Sequence, residues 1–296
     1  MTVFEEVAEP INARGERATF ANEKYGPHYR NTFDIWLAKS EHPTPLVIYI
    51  HGGGFTGGDK SRYFQSADII RFLDSGISVA TINYRFMNEP PYGILASMND
   101  SKRFVQFIRY HSEKYNIDKT RIACTGGSAG AGTALWLAFT DDMADPASID
   151  PVLQESTRLT CAGAFATQAT YDIFQWDEIL GFPLSKTPGF LQMVARVFGF
   201  KSAENVDLKS QTAIRENLDF LKKMNKNAVP VFIFNRHSAG FPETQDDINH
   251  HPNHAKKLKE KAEQIGIEAI VYAPELEIYD SAGIDLVDFF LKKLKN

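Results

Sequence analysis

Residues 121 to 139, RIACTGGSAGAGTALWLAF, constrain the fold of this chain more than any other stretch. A short apolar run ends in two glycines, passes through Ser128, and continues into a segment that is apolar nearly all round. The first run reads as a buried strand and the last as a central, buried helix. Between them GGSAG leaves room for one sharp turn, because Gly126 and Gly130 have no Cβ to collide as the backbone folds back. A strand, a tight turn and a buried helix in that order imply a sheet covered on both faces.

The rest of the chain repeats that grammar. Strand candidates are FDIWLA (33–38), LVIYIH (46–51), ISVATINY (77–84), RIACTG (121–126), LTCAGAFA (159–166), PVFIFN (230–235) and IEAIVYA (267–273). Between them helical patterns are expected near 61–75, 93–115, 128–139, 252–265 and 281–294, the last with Ser281 as its N-cap. Alternating strands and helices predict an α/β fold with a mostly parallel sheet. The 296 residues fit one such domain, 1–296. Residues 167–228 break the rhythm with Trp176 and GFLQMVARVFGF, and read either as a cap or lid over the strand ends or as an elongated crossover helix.

Composition narrows the partners. A net charge of -5 with no sustained basic run excludes the electrostatic footprint of a nucleic-acid binder or a protein held on anionic lipid. No apolar run is long enough to cross a bilayer, so membrane insertion is not expected. The acidic N-terminus lacks a signal-like apolar core, and a cytoplasmic location is the expectation. Cys124 and Cys161 sit in strand-like runs and read as two reduced core thiols. Whether two copies pair as a homodimer is left open by the sequence.

A second glycine tract, HGGGF at 51–55, follows the strand LVIYI. Glycines there let backbone N–H groups approach a small oxygen closely, so Gly53 and Gly54, with the N–H of Ala129, are expected to form an oxyanion hole for chemistry at Ser128. His51, just before the glycines, is expected to support that loop.

With HGGGF, NYRF (83–86) and GGSAG, the chain resembles the carboxylesterase and lipase branch of the α/β-hydrolase fold, near its hormone-sensitive-lipase-like and feruloyl-esterase-like groups. The resemblance covers about residues 30–295. It implies a serine acylated by an ester, a small-molecule ester substrate and no cofactor, with a catalytic acid and a histidine in later loops. Gly127 and Asn83 stand where many relatives carry Asp. For the acid the resemblance points to the loop after PVFIFN, with Asp247 first and Asp246 second, and capping of the following helix is the competing role for both.

At the histidine the resemblance stops, because IVYAPELEIYDSAG carries Glu277 at its position. A carboxylate with an ordinary pKa near 4.3 is a poor base for a hydroxyl. Three readings compete. The base has moved to the preceding loop, where His250 or His251 is expected to serve and His237 is the third histidine; the protein is a receptor-like binder that has lost the base; or Glu277 acts weakly. No metal is expected, since HHPNH is not embedded in a zinc-binding H-E-x-x-H pattern and Pro252 interrupts it. His254 is expected on a solvated helix face. Phe55, Phe86, Trp176 and Phe190 are the aromatic residues expected to line an apolar pocket for a short or medium acyl or aryl ester.

Overall fold

A computed structural model of the chain describes residues 8–207 and 211–295. The acidic N-terminal stretch 1–7 lies outside the described residues.

Seven strands form where β-branched and aromatic runs were expected: β2 (Thr32–Trp36), β3 (Thr44–Ile50), β4 (Ser78–Ile82), β5 (Ile117–Gly127), β6 (Cys161–Phe165), β7 (Val231–Phe234) and β8 (Ala269–Ala273). Two edge strands complete the sheet, β1 (Phe20–Lys24) and β9 (Ile278–Tyr279). The order across the sheet is β1-β2-β4-β3-β5-β6-β7-β8-β9. Strands β4 to β8 and β3 run parallel, while β1, β2 and β9 join antiparallel.

Helices cover both faces. On β3, Leu46, Ile48 and Ile50 pack into the larger core, together with α2 (Ile94–Tyr110), α3 (Ala129–Phe139) and α9 (Asn253–Ile265). Val47 and Tyr49 face the other way, toward α1 (Ala67–Asp74) and α10 (Leu286–Leu294). This alternation buries every residue of β3, as a central parallel strand requires. Both cysteines are buried and free. No helix among the described residues is long and apolar enough to cross a membrane.

Helix α10 starts later than expected. Its N-cap is Asp285, in a reciprocal capping box with Asp288, and Ser281 lies upstream of the left-handed Gly283. That backbone conformation cannot belong to a right-handed helix, so the first usable cap comes after it.

The register sets the site. Ile50 at the end of β3 pairs with Gly126 at the end of β5, so the two glycine tracts leave adjacent strands side by side. The loops after β6 and β7 emerge at the same carboxyl edge, where open parallel sheets place their ligands. The described part of 167–228 forms short helices: α4 (Trp176–Leu180), α5 (Phe190–Phe198), α6 (Thr212–Leu218) and α7 (Phe220–Lys223). A further short helix, α8 (Gln245–His250), precedes α9.

Candidate active site

Ser128 stands between β5 and α3 with φ 52° and ψ -115°, a conformation that costs a non-glycine residue energy and that surrounding contacts must hold. A Cβ on Gly126 would lie 2.2 Å from the Ile50 carbonyl oxygen, and one on Gly130 would lie 1.9 Å from the same atom. Both glycines are therefore obligatory, because the atom they would strike is backbone of the central sheet. The turn is pinned from two sides. Ser128 N–H donates to Phe165 O at 2.9 Å. Gly127 N–H donates to the Tyr63 hydroxyl at 3.1 Å, and that hydroxyl donates to Ile50 O at 3.2 Å.

The HGGG loop runs beside this serine: a Cβ on Gly52 would lie 3.6 Å from the Ser128 Cβ. Gly53 and Gly54 have φ of 107° and 59°, and Gly53 O accepts from the N–H groups of Thr56 and Gly57, which closes the turn. Ala129 is the first residue of α3, where a helix amide has no intrahelical acceptor. The N–H groups of Gly53, Gly54 and Ala129 have no acceptor among the described residues. His51 braces the loop from beneath: its ring stacks on Tyr84 at 4.2 Å, and its Nδ1 lies 2.7 Å from Gly52 O. Burial lowers its pKa to about 4, so it is neutral near pH 7.

Helix α8 brings an imidazole up to Ser128. His250 Nε2 lies 2.8 Å from Ser128 Oγ, and its Nδ1 lies 3.0 Å from Asp246 Oδ1, one helical turn back. That second contact is close enough for an ion pair but is misaligned for a hydrogen bond, so Asp246 acts on the ring mainly through its charge. The histidine side chain is 12% exposed and the aspartate side chain 69%. Burial lowers the His250 pKa, and the Asp246 charge opposes that effect. The helix end is held by the buried Asn235, whose Nδ2 donates to His250 O at 2.9 Å, and by Gln168, whose Nε2 donates to Asn249 O at 2.7 Å.

Other expected groups lie elsewhere. Asp247, the first choice of acid, is the N3 residue of α8: its carboxylate accepts from Thr244 N–H and the Thr244 hydroxyl at 2.9 and 2.8 Å. The capping role wins because Thr244 stands three residues before it. His251 is buried and accepts from Asn253 N–H, which places it at the start of α9 rather than on Ser128. His254 is fully buried, not solvated: it accepts from Ala169 N–H, lies 3.2 Å from Ile248 O and meets the Trp176 ring edge-on. Glu277 is exposed at the left-handed turn of the β8–β9 hairpin.

An open cavity of about 910 Å³, counted with its solvent mouth, reaches Ser128 and Ala129. Phe55, Met87, Ile94, Tyr171, Ile173 and Trp176 supply its apolar wall. Helix α5 closes one side with Met193, Val197, Gln192 and Arg196, and α8 adds Gln245 and Asn249. Phe55 and Trp176 thus line the pocket as expected. Phe190 is instead buried against Phe174, and Phe86 lies beneath the Arg30 guanidinium. Tyr63 and Asn235 were not anticipated; neither sits in a motif, and their roles come from tertiary contacts alone.

A protein-family model described as BD-FAE matches residues 33–239. Gut esterase 1 of Caenorhabditis elegans is 26% identical over 159 residues, covering 51% of this chain and 28% of that protein. The chain spans less than half the length of the curated relatives it matches. Among solved structures, a truncated carbohydrate esterase from gut microbiota matches with a TM-score of 0.66 at 17% identity, over 94% of this chain and 96% of that one. An acetyl ester-xyloside bifunctional hydrolase from Caldicellulosiruptor lactoaceticus matches with a TM-score of 0.61 at 20% identity, over 90% and 86%. At these identities the structural likeness establishes the α/β-hydrolase fold.

Proposed function

The chain belongs to the BD-FAE family, and from that premise we propose that it is a serine carboxylic-ester hydrolase working through an acyl-enzyme. The observation that carries the reading is the 2.8 Å approach of His250 Nε2 to Ser128 Oγ. In the first step Oγ attacks the ester carbonyl carbon while His250 Nε2 takes the hydroxyl proton. The carbonyl oxygen gains charge and is received by the free amides of Gly53, Gly54 and Ala129. When the tetrahedral species collapses, the imidazolium returns its proton to the departing alcohol, leaving Ser128 acylated. Water activated by the same imidazole then releases the acid.

Asp246 favours the tautomer with a proton on Nδ1 and stabilises the imidazolium by charge. The apolar wall of the cavity fits short to medium acyl or aryl esters, and the described part of 167–228 serves as its cap through α5. The receptor-like alternative required a site without an imidazole, and nothing in this geometry favours it.

The test compares p-nitrophenyl acetate and butyrate turnover by the wild type, Ser128→Ala and His250→Ala, with fluorophosphonate labelling as a second readout. Turnover and labelling by the wild type alone are expected. Equal rates in all three proteins would remove Ser128 and His250 from the reaction.

A further inference from the structure

Beside the serine, on the far side of the His250 ring, three ligand-type side chains converge. The ligand atoms of His237, Asp246 and His250 all lie within 4.8 Å of one another. The His250 Nδ1 is buried and has no aligned hydrogen-bond partner, although Asp246 Oδ1 is only 3.0 Å away. The rings of His237 and His250 are 4.8 Å apart between centroids. One buried side chain ties these two residues together: Asn235 Oδ1 accepts from His237 N–H at 2.8 Å, and its Nδ2 donates to His250 O at 2.9 Å.

We propose that His237, Asp246 and His250 Nδ1 form a binding site for a zinc ion, and that zinc there switches off the base that serves Ser128. Two imidazoles and a carboxylate suit zinc, whereas calcium and magnesium favour all-oxygen sets. Tetrahedral zinc, with ligands at about 2.0–2.2 Å, holds neighbouring ligand atoms roughly 3.3 Å apart. The Asp246–His250 pair already stands near that spacing at 3.0 Å. His237, half-buried on the loop after β7, closes the remaining gap by moving its side chain. A water completes the fourth position.

The site is not the HHPNH run, because His251 and His254 are buried and engaged elsewhere.

The inhibition follows from the tautomer. A neutral imidazole has one lone pair on a ring nitrogen. In the working form that pair is on Nε2, facing Ser128 Oγ, and the proton is on Nδ1. Zinc takes the pair at Nδ1, which leaves the proton on Nε2, so the ring can donate to Ser128 but cannot accept from it. No net proton is released from the ring. This second half rests on the hydrolase reading; the metal site itself does not.

Two measurements on the full chain separate them. Zinc binding to chelator-treated protein, followed by competition with a chromophoric zinc chelator, is expected to be one to one and weakened at least about tenfold in His237→Ala. In parallel, p-nitrophenyl butyrate turnover and fluorophosphonate labelling are expected to fall with zinc and to recover with a chelator. His237→Ala should keep the metal-free rate and lose the zinc sensitivity. Absence of zinc binding, or equal binding by His237→Ala, overturns the site. Saturated binding with unchanged turnover overturns the switch. Absence of turnover at any zinc concentration rejects the hydrolase reading and the switch with it, and the binding data still decide the site.

Discussion

Asp246→Asn isolates how much an exposed acid contributes to a base that is itself largely buried. In the transition state His250 becomes positive, and the carboxylate oxygen 3.0 Å from Nδ1 attracts it. Coulomb's law gives about 1.4 kcal/mol for such a pair in water and about 5.5 kcal/mol at an effective dielectric near 20. The Asp246 side chain is 69% exposed and poorly aligned, which places the pair near the lower figure. The expected loss in kcat/KM is therefore roughly tenfold to thirtyfold, at about 1.4 kcal/mol per decade. A buried, hydrogen-bonded triad aspartate is worth about ten-thousandfold by comparison. Initial rates on p-nitrophenyl butyrate near neutral pH, with KM and kcat resolved, measure the difference. A loss of a thousandfold or more would refute the screened-charge reasoning, and an equal loss in Asp247→Asn would refute the assignment of Asp246.

Gly130→Ala should destabilise the protein by about 3 kcal/mol and abolish fluorophosphonate labelling, because the new Cβ would stand 1.9 Å from Ile50 O; wild-type stability in urea would contradict this. His51 and His254, with folded pKa values of about 4 and about 3 against about 6.5 unfolded, stay neutral while the unfolded chain takes up protons. Their contribution should be nearly complete at pH 7 and fall by about 2 kcal/mol for each group between pH 7 and pH 5; a urea midpoint that is flat over that window would count against their burial. Glu277→Ala should leave turnover within about twofold and stability within about 0.5 kcal/mol, since the side chain is exposed on a hairpin turn. A tenfold loss of turnover would return Glu277 to the reaction.

How far the sequence could be read depended on whether a residue's role was local. The elbow was legible because two glycines, a serine and an apolar helix specify one turn with little help from elsewhere. The central strands were legible because burial on both faces selects β-branched and aromatic runs. Strand β1, FANEK, alternates poorly and is half-exposed at the sheet edge, and β9 has two residues, so neither carries a pattern. The choice between Asp246 and Asp247 turned on a cap: both stand within a helical turn of His250, and Thr244 claims Asp247. His254 carried a readable signal, since it precedes Leu258 and Ala262 at intervals of four on the buried face of α9. Asn235 carried none, because its contacts join segments that only the folded sheet brings together.

On the proposed reading, a displaced base has a geometric logic. Strand β8 lies three strands from β5, roughly 14 Å at about 4.8 Å per strand, and β7 lies two strands away, roughly 10 Å. A histidine carried after β8 must cross that longer span on a loop, whereas α8 brings His250 to the serine on a helix anchored beside β7. The same helix supplies Asp246 four residues earlier, so acid and base share one rigid element and their spacing is set by helical pitch. His250 also occupies the last turn of α8, where the carbonyl end of the helix favours a positive ring. The segment after β8 folds back as the β8–β9 hairpin, with Glu277 at its left-handed turn. On the proposed reading, the missing histidine at that position marks a relocation of the base within one edge of the sheet, with the acid placed more openly to solvent.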